Sequence, residues 1–397
     1  MKPESNQRKS SFVLISIIFL IITIIVIFFG FRNFQLKKEL KNRQIVPYVY
    51  QAKDLAKIAR ENDKNVEIIV NQETGLWDKA ADKKIELIPD LVIGGPAETN
   101  PNKEFYRPGF VVADNEGNIY VSESLDCLIK KFDNQGNYLF SIGGKGQGPG
   151  EIGISFNFTI DEQNIIHVFD RVNQRITRFD SDGRFLTSYR IEEQLPPTYP
   201  IFVFANSKYY VSYYDRQKEK VVHVFSDEGK YIKSFGQSLH IEKPLSPGFY
   251  ETLIDVSRGL LCFSDNRIYF SRLNPYEIHV YDLNGALLKM IFRKNSFMPP
   301  YSIRLLEGGG ISYTVQISSQ LIGIWQEYII NYVRIPPNMD KKIGGILDVY
   351  DLEGQLLTTL KVKETINFSH LDKYGRMYGI RNYYEIPEIV RYALKLK

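Results

Sequence analysis

"FVVADNEGNIYVSESLDCLIKKFDNQGNYLFSIGG" (Phe110–Gly144) is followed by "FTIDEQNIIHVFDRVNQRITRFDSDGRFLTSYR" (Phe158–Arg190), and the two read as one unit used twice. Asp114 matches Asp161, Phe132 matches Phe179 and Gly136 matches Gly183, each 47 positions apart with no gap. An aromatic followed by a turn ending in glycine recurs as Phe132–Gly136, Phe179–Gly183, Phe225–Gly229, Tyr281–Gly285 and Tyr350–Gly354. Asp at the start of such a turn accepts a backbone hydrogen bond, and Gly at its end supplies the positive φ of a bulged hairpin loop. A second turn lies upstream in several units, at Asp114–Gly117, Asp161–Asn164 and Asp372–Gly375.

Two hairpins make a four-stranded sheet of about 45 residues. A sheet apolar on both faces cannot bury them alone, and packing copies around an axis solves this. The five glycine-ended turns mark five sheets. A sixth begins at "INFSHLDKYGRMYGIRN" and ends, one strand short, at the C-terminus. "KIELIPDLVIGG" (Lys84–Gly95) is free to complete it, which would remove an exposed edge. The expected architecture is all-β: a six-bladed β-propeller closed by an N-terminal strand.

"RPGFVVADNEGNIYVSE" (Arg107–Glu123) and "NQRITRFDSDGRFL" (Asn173–Leu186) resemble NHL-type repeats of six-bladed propellers. "GGKGQGPGE" (Gly143–Glu151) is similar to a loop of bacterial members that carry an N-terminal anchor. The resemblance covers Lys84–Lys397, strongest in the first two blades, and implies a fold more than an activity.

That loop also contains G-x-G-x-x-G, at Gly148–Gly153. A dinucleotide fingerprint needs a helix after it. Here "FNFTI" follows, a strand pattern, and Pro149 interrupts the motif. The glycines are expected to carry the chain from the outer edge of blade 1 to the inner strand of blade 2.

"FVLISIIFLIITIIVIFFGF" (Phe12–Phe31) has no charge over twenty residues, enough to span a bilayer as a helix. A cleaved secretory signal would have a shorter apolar core and small residues at a cleavage site. The expected organisation is a tail (1–11), a transmembrane helix (12–31), a short helical stalk (32–65) and the propeller (66–397). Positive-inside counting is close to balance; the short N-terminal tail points to a signal anchor with its propeller extracytoplasmic. The net charge is +4, but residues 1–43 hold eight basic and two acidic residues, so the remainder carries about −2 and offers no field for nucleic acid.

His167 takes a slot that holds Tyr120, Tyr210, Tyr269 and Tyr378 in the other units, which marks a packing position. His223 and His279, two residues before the turn aromatic, read as surface residues of a third strand; His240 and His370 have no visible partners. Cys262 aligns with Ala113 and Ile160 as a small buried residue, and Cys127 lies in a loop. No catalytic set, metal site or cofactor is read from the sequence. Gln316–Gly345 lengthens blade 5, either as extended strands or as a flap carrying Trp325, Tyr328 and Tyr332. Loops joining second to third strands share one face of a propeller. Arg171, Arg175, Arg272, Tyr276, Trp325, Tyr383 and Tyr384 are expected there as candidate ligand-binding residues.

These readings give a membrane-tethered binding or scaffold module for a protein, peptide or glycan. The alternatives are an extracytoplasmic metal-dependent hydrolase or lyase using the central channel, and a sensor signalling through the stalk. Fold alone does not choose among them.

Overall fold

A computed structural model describes residues 65–79, 84–154, 156–193, 201–215, 217–237, 259–273, 276–294, 302–305, 311–314, 318–335 and 343–397. The chain divides into two units. Met1–Tyr48 with Ser302–Tyr313 forms one; its described part belongs to a two-stranded hairpin, introduced below in chain order. The larger unit, Val49–Tyr301 with Thr314–Lys397, holds six sheets. The apolar segment Phe12–Phe31 and the proposed stalk helix lie outside the described residues. Among those described, no helix is long and apolar enough to cross a membrane.

Two strands precede the first complete sheet, β1 (Glu67–Asn71) and β2 (Ile85–Gly94). Blade 1 is β3 (Pro108–Ala113), β4 (Ile119–Glu123), β5 (Leu128–Phe132) and β6 (Tyr138–Gly143). Blade 2 is β7 (Phe156–Ile160), β8 (Ile166–Asp170), β9 (Arg175–Phe179) and β10 (Phe185–Arg190). Blade 3 is β11 (Ile201–Ala205), β12 (Lys208–Asp215), β13 (Lys220–Ser226) and β14 (Tyr231–Gln237). Blade 4 is β15 (Gly259–Ser264), β16 (Arg267–Arg272), β17 (Glu277–Asp282) and β18 (Leu287–Arg293), and the separate hairpin β19 (Ser302–Leu305) and β20 (Ile311–Thr314) follows it in sequence. Blade 5 is β21 (Ser318–Trp325), β22 (Tyr328–Arg334), β23 (Gly345–Asp351) and β24 (Leu356–Val362). Blade 6 is β25 (Ile366–Leu371), β26 (Arg376–Arg381) and β27 (Glu388–Leu396), completed by β2. The first strand of every blade touches the first strands of the blades on either side, in an unbroken circle of six.

The turns form as their residues require. Gly136, Gly183, Gly285 and Gly354 each donate a backbone N–H to the carbonyl of the aspartate three positions earlier. The φ angles of these glycines are +80° to +89°, a region costly for other residues. In blade 3 Ser226 replaces the aspartate, and Gly229 still closes the turn.

Closure is as expected. β2 pairs antiparallel with β27 from Ile85↔Leu396 to Gly94↔Glu388, and Lys84 and Lys397 exchange two backbone hydrogen bonds beyond it. The N-terminal segment does more than close blade 6. β1 adds to blade 4 as a fifth strand, parallel to β18. The Asn71 side chain donates to the Gly354 carbonyl at 2.8 Å and accepts from the Leu356 N–H at 2.7 Å, tying blade 4 to blade 5. Further on, Thr358 donates to Asp78 at 2.8 Å, and the Trp77 ring stands edge-on to Tyr328. The chain thus runs along the outer edges of blades 4, 5 and 6 in order.

Both faces of each sheet are covered by neighbouring blades, and the apolar core is a series of layers between them. Tyr120, Phe156 and Phe179 share one such layer, and Ile93, Phe132 and Tyr378 share another. This corrects the surface placement of His223 and His279, which are 0% and 4% exposed. A third-strand residue has no solvent face in this ring. Cys262 pairs across from Tyr269, as Val112 does with Tyr120 and Thr159 with His167. It therefore sits one position away from the Ala113/Ile160 alignment, half-buried against the core, and both described cysteines are free thiols.

A cation links each third-to-fourth-strand turn to the blade before it. Lys131 donates to Ser181 O, Arg178 to Asp227 O, Lys233 to Leu283 O, Lys289 to Leu352 O and Glu353 O, and Arg391 to Asn134 O. In blades 3 and 4 the slot on the third strand holds Val224 and Val280, and the lysine stands directly across on the fourth strand. Blade 5 has Val349 opposite Thr358, with no cation. Its neighbour, blade 6, has no such turn, because its fourth strand is the N-terminal β2.

Candidate binding face

Hairpin topology puts the turns between first and second strands at one end of the propeller. Here they reach across to each other. Tyr374 donates to Asn115 O at 3.1 Å, and the Asn115 side chain donates to Glu162 O at 2.9 Å. The loops between second and third strands, and those that cross between blades, lie at the other end. Over blades 6, 1 and 2 these loops are bound into one rim.

The rim starts at residues 95–107, which lead from blade 6 into blade 1. Buried Glu123, at the end of β4, accepts the N–H groups of Tyr106 at 2.9 Å and Arg107 at 2.7 Å. Ser124 then donates to Arg107 O, and Gly144 to Cys127 O. Asp170 repeats the role of Glu123 one blade on: it accepts from Gly153 N at 2.8 Å and from the Asn173 side chain. Asn173 in turn donates to Gly146 O at 3.0 Å. The glycine-rich loop is therefore an ordered crossing between blades. The strand β7 follows it, which agrees with the exclusion of a dinucleotide fold. Glu151 accepts the Gly148 N–H, and Arg175 gathers the carbonyls of Gln147, Gly148 and Glu151 at 2.8–3.0 Å.

This rigid rim exposes apolar side chains. Tyr106, Leu125, Ile154, Val172, Tyr384 and Ile386 are between 47% and 89% exposed, and all six lie in its loops. Tyr384 is the most exposed of the six, with its ring edge-to-face on half-buried Tyr383 at 5.1 Å. Asn382 and Arg381 anchor that loop through Glu388. The five loops carry Glu98, Glu104, Asp126, Glu151 and Glu385 against Lys103, Arg107, Lys145 and Arg171, a net charge of −1.

The expected site residues divide. Arg171, Arg175, Tyr383 and Tyr384 belong to the rim, Arg175 as the residue that holds its glycine loop. Arg272, Tyr276 and Trp325 do not present themselves on a loop face, because each is at most 5% exposed. Arg272 pairs with Glu277 and donates to Gln237 O at 3.1 Å. Burial opposes the Glu277 charge, yet Arg272 and His279 hold its carboxyl down at about 2. Tyr276 donates to Asp348 at 2.8 Å, and its hydroxyl lies 2.7 Å from that of Tyr350. Asp348 also pairs with Arg293 and accepts from Thr359. Burial and the Asp348 charge push both tyrosine hydroxyls well above their usual range. Removing one partner of such a buried pair would leave the other charge uncompensated. Trp325 belongs to the opposite end, at the tight turn joining β21 to β22, where it covers Gly375. The stretch Gln316–Gly345, expected as extended strands or as a flap, begins as this paired hairpin, and residues 336–342 lie outside the described residues.

His167, His223 and His279 hold their rings inside the sheets, and His240 lies outside the described residues. His167 lies 2.9 Å from Asp161 and 2.7 Å from the Tyr209 hydroxyl. In blades 1 and 6 the tyrosine of the same slot donates to the matching aspartate, Tyr120 to Asp114 and Tyr378 to Asp372. Among the described residues no group of three or more His, Cys, Asp or Glu is placed to hold a metal ion.

Tyr106, Leu125, Ile154, Val172 and Ile386 were not singled out from the sequence. One signal was present: Leu125 and Val172 are 47 positions apart, so an apolar tip recurs in a loop where no neighbour covers it.

Residues 59–198 match the model of the DUF5128 family, described as a 6-bladed beta-propeller. No curated protein matches the chain significantly. The fold is similar to that of a putative exported protein from Bacteroides fragilis, at a TM-score of 0.55 and 11% identity over 83% of this chain and 99% of that one. It is also similar to a member of the duf4221 family from Bacteroides vulgatus, at 0.51 and 11% over 79% and 99%. At this identity the likeness speaks for fold.

Proposed function

We propose that the protein is a membrane-anchored, extracytoplasmic binding module that engages a protein, peptide or glycan through the loop rim over blades 6, 1 and 2. One observation carries this reading: six large apolar side chains are held out to solvent on loops tied down through Glu123, Asp170, Arg175 and Glu388. A soluble surface gains nothing from such a cluster unless something covers it, and a pre-ordered loop loses little entropy on binding. The slight excess of acidic residues on these loops argues against a polyanionic partner. The uncharged run Phe12–Phe31 supports the anchor, and the likeness to an exported protein supports the location. The repeats are read as NHL-like on the residues quoted above.

The test uses the full-length protein in detergent micelles against peptide and glycan arrays. Ligands retained by the wild type should bind at least tenfold more weakly to a Tyr106→Ser/Tyr384→Ser/Ile386→Ser variant. A Tyr374→Ser variant, altered at the opposite end, should bind normally. Binding that survives the triple substitution, or falls equally with Tyr374→Ser, contradicts the proposal.

A further inference from the structure

The outer strand of each blade presents one unpaired backbone edge, which other chains can extend unless it is blocked. The blades solve this in different ways. β18 is covered by β1, and β24 is crossed by the segment carrying Asn71 and Asp78. β2 carries Glu86, Pro89 and Asp90, with an irregularity between Pro89 and Leu91. β10 follows Arg184 and ends in Arg190, and β14 follows Lys230.

β6 has none of these devices. From Asn137 to Gly144 it holds no charged residue and no proline. Its only irregularity lies at the turn, opposite Lys131 and Phe132. Leu139 and Ser141 are exposed, Leu139 at 45%, and no described strand lies beyond it.

We propose that β6 is a docking edge where an extended segment of a partner polypeptide adds to blade 1 as a fifth strand. The occupant follows from the chemistry of the edge. A row of alternating N–H and C=O groups is complemented in register by another extended backbone. The molecule already does this once, since five residues of β1 extend blade 4 on the equivalent strand and bury Ile69 against its core. An uncharged edge with an exposed leucine selects a strand with apolar residues at alternate positions. This surface is the outer wall of the propeller and is independent of the loop rim.

The experiment is hydrogen–deuterium exchange on the full-length protein in micelles, with the synthetic strand acetyl-Lys-Thr-Val-Thr-Val-Thr-Val-Lys-amide as probe. The peptide should slow exchange within residues 138–143 at least fivefold and leave β10 and β14 unchanged. A version N-methylated at alternate amides keeps its side chains but cannot pair, and should give no protection. Leu139→Lys, at an exposed site that leaves the fold intact, should abolish the effect. The proposal fails if millimolar peptide protects nothing there, if the N-methylated peptide protects equally, or if Leu139→Lys changes nothing. It also fails if sedimentation shows a wild-type dimer that Leu139→Lys disperses, because the occupant is then a second copy.

Discussion

The Lys131 ammonium, on a side chain almost wholly buried, donates a 2.8 Å hydrogen bond to the Ser181 carbonyl in the next blade. The same link recurs wherever a following blade has a third-to-fourth-strand turn to hold. Lys131→Met should destabilise the protein by about 2 kcal/mol, since it leaves a carbonyl without its charged donor. Lys131→Arg should stay within about 1 kcal/mol, because Arg178 fills that slot in blade 2. Urea unfolding of the three proteins measures both; equal losses for Met and Arg would show that the link is incidental.

Closure by β2 makes removal of residues 1–95 far more damaging than removal of residues 1–65. The longer deletion strips β1 from blade 4 and bares the β27 edge. It should give aggregated protein, while the shorter deletion should leave a cooperative unfolding transition. Size-exclusion chromatography separates the outcomes, and a soluble, cooperative 96–397 fragment would contradict closure.

His223 gives stability a defined dependence on pH. Its Nε2–H donates to Tyr213 O at 3.0 Å and its Nδ1 lies 2.7 Å from the Ser234 hydroxyl, which suits a neutral ring. Burial pushes its pKa down to about 4 despite the Tyr213 carbonyl. The unfolded chain, at about 6.5, takes up the proton first as pH falls. Stability is therefore full above about pH 6.5 and declines toward pH 4, with about 2 kcal/mol lost by pH 5 from this residue. His223→Gln should remove that part of the slope in urea titrations at pH 7.5 and 5.0. An unchanged slope would assign the dependence elsewhere.

Arg175 should hold the glycine loop without holding the fold. Arg175→Ala frees three carbonyls at the protein surface, so amides of residues 144–152 should exchange about tenfold faster, a local opening. The unfolding midpoint should move little. Unchanged exchange would mean that Asp170 and Glu151 suffice.

Much of this architecture was legible because its punctuation is chemical. Asp133–Gly136 and its counterparts need an acceptor and a positive φ, and those demands show in single residues. The match of Lys84–Gly95 to the last blade followed from an edge that would otherwise stand open. β1 was not legible: "EIIVN" has no hairpin partner beside it in sequence, and the strand it pairs with lies over two hundred residues away. His223 and His279 were misplaced because alternation marks a solvent face only where one exists. Arg272 and Tyr276 were misplaced because a loop-end position does not reveal a buried carboxylate waiting for the side chain, Glu277 for one and Asp348 for the other. The rim escaped notice because exposure is a property of neighbours, and the loops around Leu125 and Val172 are brought together only by the ring.

The binding role is tested most directly by a photo-crosslinking amino acid, p-benzoylphenylalanine, placed at position 106, 384 or 374 of the full-length protein in the cells that make it. A discrete adduct is expected from positions 106 and 384, on the rim, and none from 374, at the other end. Adducts from 374 alone, or from all three without distinction, would contradict binding through the rim.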